Sequence, residues 1–195
     1  MASVFDQLLI RGVKDGKIPA RTDDARQWFR NKAQDIGRTR VSPEKLLQDR
    51  GQKEGPKSGY MYHFIYDPKT KDTLPYWDTF PLIFMVGPAE GGFYGINLHY
   101  LPPQLRAKLM DALYGIASNT RYDENTKINL SYNILKGSSK YKYFKPTFKH
   151  YLSDHVKSKF IKIDSVEWDI ALFLPTHRFK FANSQKVYSD SRKMI

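Results

Sequence analysis

The chain contains no cysteine. Disulfide scaffolds, thiolate zinc sites, iron–sulfur clusters and cysteine nucleophiles are thereby excluded. Apolar runs are short, and none approaches the ~20 residues of a membrane-spanning helix. The stretch Met1 to Asp15 carries charge early and lacks the apolar core and small-residue cleavage site of a secretion signal. No G-x-S-x-G, H-E-x-x-H or P-loop motif occurs. The glycines from Gly87 to Gly95 lack the strand–glycine loop–helix context of a dinucleotide site and read as a hairpin loop. Internal repeats and low-complexity tracts are also missing. The length of 195 residues suits a single domain, 1–195, with a helical basic N-terminal arm over about 1–54 and a polar tail over about 183–195.

What the chain does have is positive charge and aromatic rings. The formal net charge is +12, and there are 13 Tyr, 12 Phe and 3 Trp. The charge is unevenly placed. Residues 1–54 carry +4, residues 55–135 carry zero, residues 136–162 carry +7 and residues 163–195 carry +1. More than half of the excess therefore falls in one short segment, which implies a surface that faces something anionic.

The arm reads as three short helices. Val4, Phe5, Leu8 and Leu9 make one apolar stripe. Thr22 is placed to cap a second helix, with Asp23 and Asp24 at the positive end of its dipole, and Ser42-Pro43-Glu44 starts a third. The middle is β-rich. Tyr60–Tyr66, Phe80–Val86 and Phe93–Tyr100 read as strands. They predict an α+β fold, with a small antiparallel sheet over about residues 59–100 packed by flanking helices. Both faces of that sheet are apolar, so both need a cover, one of them from further helices or another chain. Pro102-Pro103 opens the clearest helix, and Thr126–Leu135 predicts another. Pro146 then starts a predicted helix through Phe148, Tyr151, Leu152 and Val156, and Lys159–Ile163 alternates like a strand. Asp164 and Glu167 have capping-box spacing ahead of Trp168–Leu174. Beyond Asn183 the expectation is an extended or weakly helical tail.

Signals for catalysis are sparse. His63 and His99 are either metal ligands, with Asp67 or Asp78, or interior histidines with a hydrogen bond each. Asp67, Asp72 and Asp78 are either magnesium-holding acids of a nuclease or ordinary turn residues. The lysine-rich stretch is the strongest chemical feature. Lys136, Lys140, Lys142, Lys145, Lys149, Lys157, Lys159 and Lys162 alternate with Tyr141, Tyr143, Phe144, Phe148, Tyr151 and Phe160. Lysines neutralise phosphates and rings stack on bases. The same pattern also fits an acidic protein partner, or a core whose rim is lysine. Arginine is absent from the segment, so nucleic-acid contact there is expected to be nonspecific. In the proline-punctuated aromatic region, Tyr62, Tyr66, Tyr76, Trp77 and Phe80 are candidate subunit-interface residues.

At these residues a resemblance enters. The run YDPKTKDTLPYWDTFPLIF (Tyr66 to Phe84), followed by GFYGINLHYLPPQLRAKLMDALY (Gly92 to Tyr114), resembles a family of small virion proteins in contractile-tailed phages. The opening DARQWFRNKA and the ending WDIALFLP with VYSDSRK belong to the same pattern. The resemblance carries no catalytic residues. It implies a non-enzymatic structural subunit of a phage tail or baseplate hub, made in the host cytoplasm and found in the virion. Its partners would be other virion proteins in a hetero-oligomeric assembly, with nonspecific DNA contact, no membrane and no cofactor. The alternative is a DNA-binding protein that protects or guides genome ends at the head–neck. A metal-dependent nuclease is third.

Overall fold

The computed structural model describes residues 3–18, 22–117, 121–138 and 145–194. Three helices open the chain: α1 (Val4–Lys14), α2 (Asp23–Gln34) and α3 (Pro43–Asp49). Each starts on a side-chain cap. Ser3 and Asp6 form a reciprocal capping box on α1, while the hydroxyls of Thr22 and Ser42 accept from the amides of Ala25 and Lys45. Strands β1 (Gln52–Lys53), β2 (Met61–His63), β3 (Trp77–Asp78), β4 (Leu82–Ala89) and β5 (Gly92–Asn97) follow. Then come α4 (Pro103–Ala117), α5 (Glu124–Ser138), β6 (Phe148–Leu152), β7 (Phe160–Ile163), α6 (Trp168–Phe173), β8 (Phe179–Lys180) and α7 (Ser184–Lys193).

The fold is α+β, as expected, but the sheet is larger than residues 59–100 predict. It has six antiparallel strands in the order β1-β7-β2-β4-β5-β6, and β3 pairs with β8 in a separate two-stranded ribbon. The segment expected as a helix after Pro146 is the edge strand β6, paired from Ile96↔Phe148 to Gly92↔Leu152. The stretch expected as a polar tail forms α7, with Val187 and Ser191 buried and the Tyr188 hydroxyl accepting from Arg106 at 2.8 Å.

The two sheet faces have different covers. Met61, Leu82, Phe84, Ile96, Ile161 and Ile163 point into a core closed by Phe5, Leu8, Phe29, Leu46, Leu109, Leu113, Trp168 and Leu172 from the helices. Arg50 pins the arm to this core. It grips the Glu167 carboxylate with two nitrogens, at 2.8 and 2.5 Å, and lies over the Phe5 ring. The opposite face needs neither more helices nor another chain. Tyr62, Phe64, Tyr66, Phe93, Tyr151 and Phe160 bury one another together with Ile83 and Met85. Phe64 meets Tyr66, Phe93 and Tyr151 edge to face at 6.1, 5.8 and 5.3 Å. The Tyr62 and Tyr66 hydroxyls accept from the amides of Lys57 and Leu152. Rings this large, with their polar tips satisfied, close a sheet face by themselves.

This corrects part of the interface assignment. Tyr62, Tyr66 and Phe80 are only 2%, 7% and 0% exposed, so they have no surface to offer a neighbouring subunit. Of the five residues named for that role, Tyr76 and Trp77 are the ones substantially exposed to solvent, and both are so in a cleft.

Candidate nucleic-acid interface

The β3–β8 ribbon contributes to the walls of two clefts. The first, of about 470 Å³, lies between β3, the edge strand β6 and the end of α7. Its wall includes Tyr76, Trp77 and Tyr100, with Lys69 and Lys149 as its cations. Lys149 is held by topology. In β6 it alternates with Phe148 and His150, so it shares the sheet face of Tyr151 and not that of the helical core. Its Nζ stands 4.2 Å from the centre of the Tyr100 ring. Burial pushes the Lys149 ammonium down to about 8, because few of its surroundings replace the lost water. A partly desolvated cation among aromatic rings is suited to receive a phosphate.

The second cleft, of about 590 Å³, is lined by Arg38, Arg178, Lys180 and His177, with Glu44 the acid among them. Arg38 donates to His177 Nε2 at 2.7 Å. Burial, then the positive charges nearby, lowers His177 to about 3, which leaves its ring neutral and able to accept. Arg178 is committed to structure, donating to the carbonyls of Pro175, His177, Arg38 and Val41.

Beneath the ribbon lies a buried polar network. Asp78 Oδ1 accepts from the amides of Phe80 and Arg178, and Oδ2 accepts from Asn97 Nδ2 at 3.3 Å and His99 Nδ1 at 2.6 Å. Burial alone raises a carboxyl, but His99 and these donors outweigh it and hold Asp78 below its usual range. With its Nδ1 hydrogen donated to Asp78, His99 receives the Thr176 hydroxyl on Nε2 at 3.0 Å. Hydroxyl, imidazole and carboxylate stand in the order of a nucleophilic triad. All three side chains are buried, however, and no substrate reaches the hydroxyl. The arrangement fastens β3 and β5 to the segment before β8.

Metal ligation finds no geometry among the described residues, where no group of three or more His, Asp or Glu side chains converges. Asp67 is ion-paired with Lys71 at the surface, Asp72 lies exposed in the following turn and Asp78 is interior. His63 is likewise interior, stacked on Phe80 at 4.6 Å, with Nδ1 donating to the Pro81 carbonyl.

The lysine-rich segment does not form one band. In the sheet order β2, β4 and β5 come between β6 and β7, so the lysines of the two strands are not neighbours along it. Lys149 lines the aromatic cleft. Lys145 is exposed in the turn just before β6, and Lys136 is exposed at the end of α5. Lys157 and Lys159 line a different cleft near β7, where Lys159 pairs with Glu54 at 2.5 Å. Lys162, within β7, stands over the Tyr60 ring. Lys140, Lys142, Tyr141 and Tyr143 lie outside the described residues. The sequence reading missed Lys69, Tyr100, Arg38 and Lys180 as site residues. Their positions in sequence are unremarkable, and only the pairing of β3 with β8 brings them to one region.

Fold and clefts together define a small, basic α+β protein with cationic, aromatic-lined clefts. The chain belongs to the phage T4 terminal DNA protecting protein family, which residues 5–194 match. The match covers nearly the whole chain and overturns the assignment to a tail or baseplate hub. No curated protein and no solved structure matches it. Among the described residues no helix is long and apolar enough to cross a membrane.

Proposed function

We propose that the protein binds the ends of phage DNA and shields them from degradation, by occupancy and without chemistry of its own. The observation that carries this reading is the family match over residues 5–194. The geometry supports it in three ways. The net charge of +12 favours a polyanion. The two clefts to which the ribbon contributes place Lys69 and Lys149, and Arg38 and Lys180, beside aromatic rings. The triad-like arrangement found among the described residues is sealed from solvent. The setting we propose is the phage particle, where packaged DNA has its termini.

A linear duplex digested by an exonuclease provides the test. With saturating protein the duplex should survive much longer than without it, and the protein should cut neither linear nor circular DNA when magnesium is added. An unchanged rate of digestion at saturation would overturn the proposal. Magnesium-dependent cleavage that copurifies with the protein would overturn its non-enzymatic part.

A further inference from the structure

One exposed side chain is unexplained by the fold. Phe181 follows β8, in the turn that leads to α7. It is 82% exposed, and its φ of 62° is positive, unique among the described non-glycine residues. The left-handed region is sterically costly for a bulky residue, and glycine or asparagine normally takes such a place. An exposed phenyl ring adds the cost of hydrating apolar surface. Two such costs at one residue, not offset by burial, mark a position that folding alone does not explain. The ring meets Trp77 across the ribbon at 5.3 Å, with the planes 76° apart. The two rings therefore do not stack face to face, and Phe181 keeps a ring face for something else.

The surroundings indicate what that is. Trp77 lines the cleft that holds Lys69 and Lys149, while Lys180, next to Phe181, lines the cleft that holds Arg38. The ring thus follows directly on a ribbon whose strands line two cationic clefts, and its contact with Trp77 places it beside the first of them. In a duplex every internal base pair is covered above and below by its neighbours. Only the last pair exposes a π face. A ring that stacks on that face tells an end from an interior without reading sequence, and lysines to either side meet the phosphates of the departing strands.

We infer that Phe181 is the stacking cap for the terminal base pair of a DNA end, with Trp77 as its buttress. This rests on the end-protection reading and adds the contact by which an end is distinguished.

The test uses the full-length protein and duplexes carrying 2-aminopurine either in the terminal pair or at the centre. The wild-type protein should change the fluorescence of the terminal probe and not that of the central one. It should also prefer linear DNA to a covalently closed circle of the same sequence. Phe181→Ala and Phe181→Gly should abolish the terminal signal and lower the linear-over-circle preference about tenfold, a loss in keeping with one stacked base. Phe181→Trp should retain both. The glycine variant relieves the backbone strain, so its melting temperature should equal or exceed that of the wild type, which separates lost contact from lost fold. If both small variants keep the terminal signal and the preference, the cap is overturned and end protection stands. If the wild type itself prefers circles equally, the end-protection reading falls, and the cap with it.

Discussion

Lys149 sets binding against stability within one side chain. The folded protein holds its ammonium near 8, against an ordinary value of 10.5. Between those values the unfolded chain binds the extra proton, so the lysine's contribution to stability rises with pH across that window and is unfavourable below it. Lys149→Met should therefore raise the melting temperature at pH 7 and weaken DNA binding, with the salt slope reduced by about one. Calorimetry and a salt titration measure the two effects, and a destabilised variant would contradict the first. Asp78 is the opposite case. Asp78→Asn turns an amide hydrogen toward donors on Asn97 and His99 that now meet an oxygen. The loss should be about 3 kcal/mol or more in urea unfolding, because buried donors are left without acceptors. At Phe181 the sign reverses again: the glycine variant should gain about 1 kcal/mol, since the strained φ costs it nothing.

At the scale of the element, β6 carries the site and is anchored by a close approach. A Cβ on Gly92 would stand only 1.9 Å from the Tyr151 carbonyl oxygen, and both atoms are fixed by the β5–β6 pairing. Gly92→Ala should break that pairing, destabilise the fold by more than ~3 kcal/mol and lower DNA affinity through displacement of Lys149; unfolding of the variant in urea checks the first effect. The β4–β5 hairpin was legible in sequence because Gly87-Pro88-Ala89-Glu90-Gly91-Gly92 separates two apolar runs. The caps of α2 and α3 were legible for a similar local reason. β6 was not. Phe148, Tyr151 and Leu152 stand three and four apart behind a proline, the spacing of a helix face, yet in the strand Phe148 joins the helical core and Tyr151 the aromatic cluster. Pairing with β5 overrides the local pattern, as tertiary context often does. The clefts were illegible because Trp77, Tyr100 and Lys149 come from three elements whose meeting is a property of strand order. The lysine segment misled in the reverse direction: its residues are contiguous in sequence, and the sheet divides them.

The whole molecule should be acid-sensitive for a reason separate from its charge. Burial, with the positive charge of neighbours, holds both His63 and His177 at about 3. Each is neutral when folded, while the unfolded chain protonates it near 6.5. Stability is then complete above about 6.5 and declines toward 3, by about 1.4 kcal/mol per pH unit for each histidine. A melting series from pH 7 to pH 4 should show this fall, and a flat profile would contradict the neutral state of the two rings in the fold. Asp78, held low, adds a further loss only at the acid end.

The strand order also has a temporal meaning. β2 sits between β4 and β7, and Met61 aligns with Phe84 on one side and Ile163 on the other. On a ribosome the tyrosine-rich half of the molecule emerges long before its distal partner strand exists. Until synthesis passes β7, the β2 flank lacks its second partner strand, and a contact so distant in sequence is slow to close. Yield of usable protein should accordingly respond to chaperone supply and lowered growth temperature more than to codon choice.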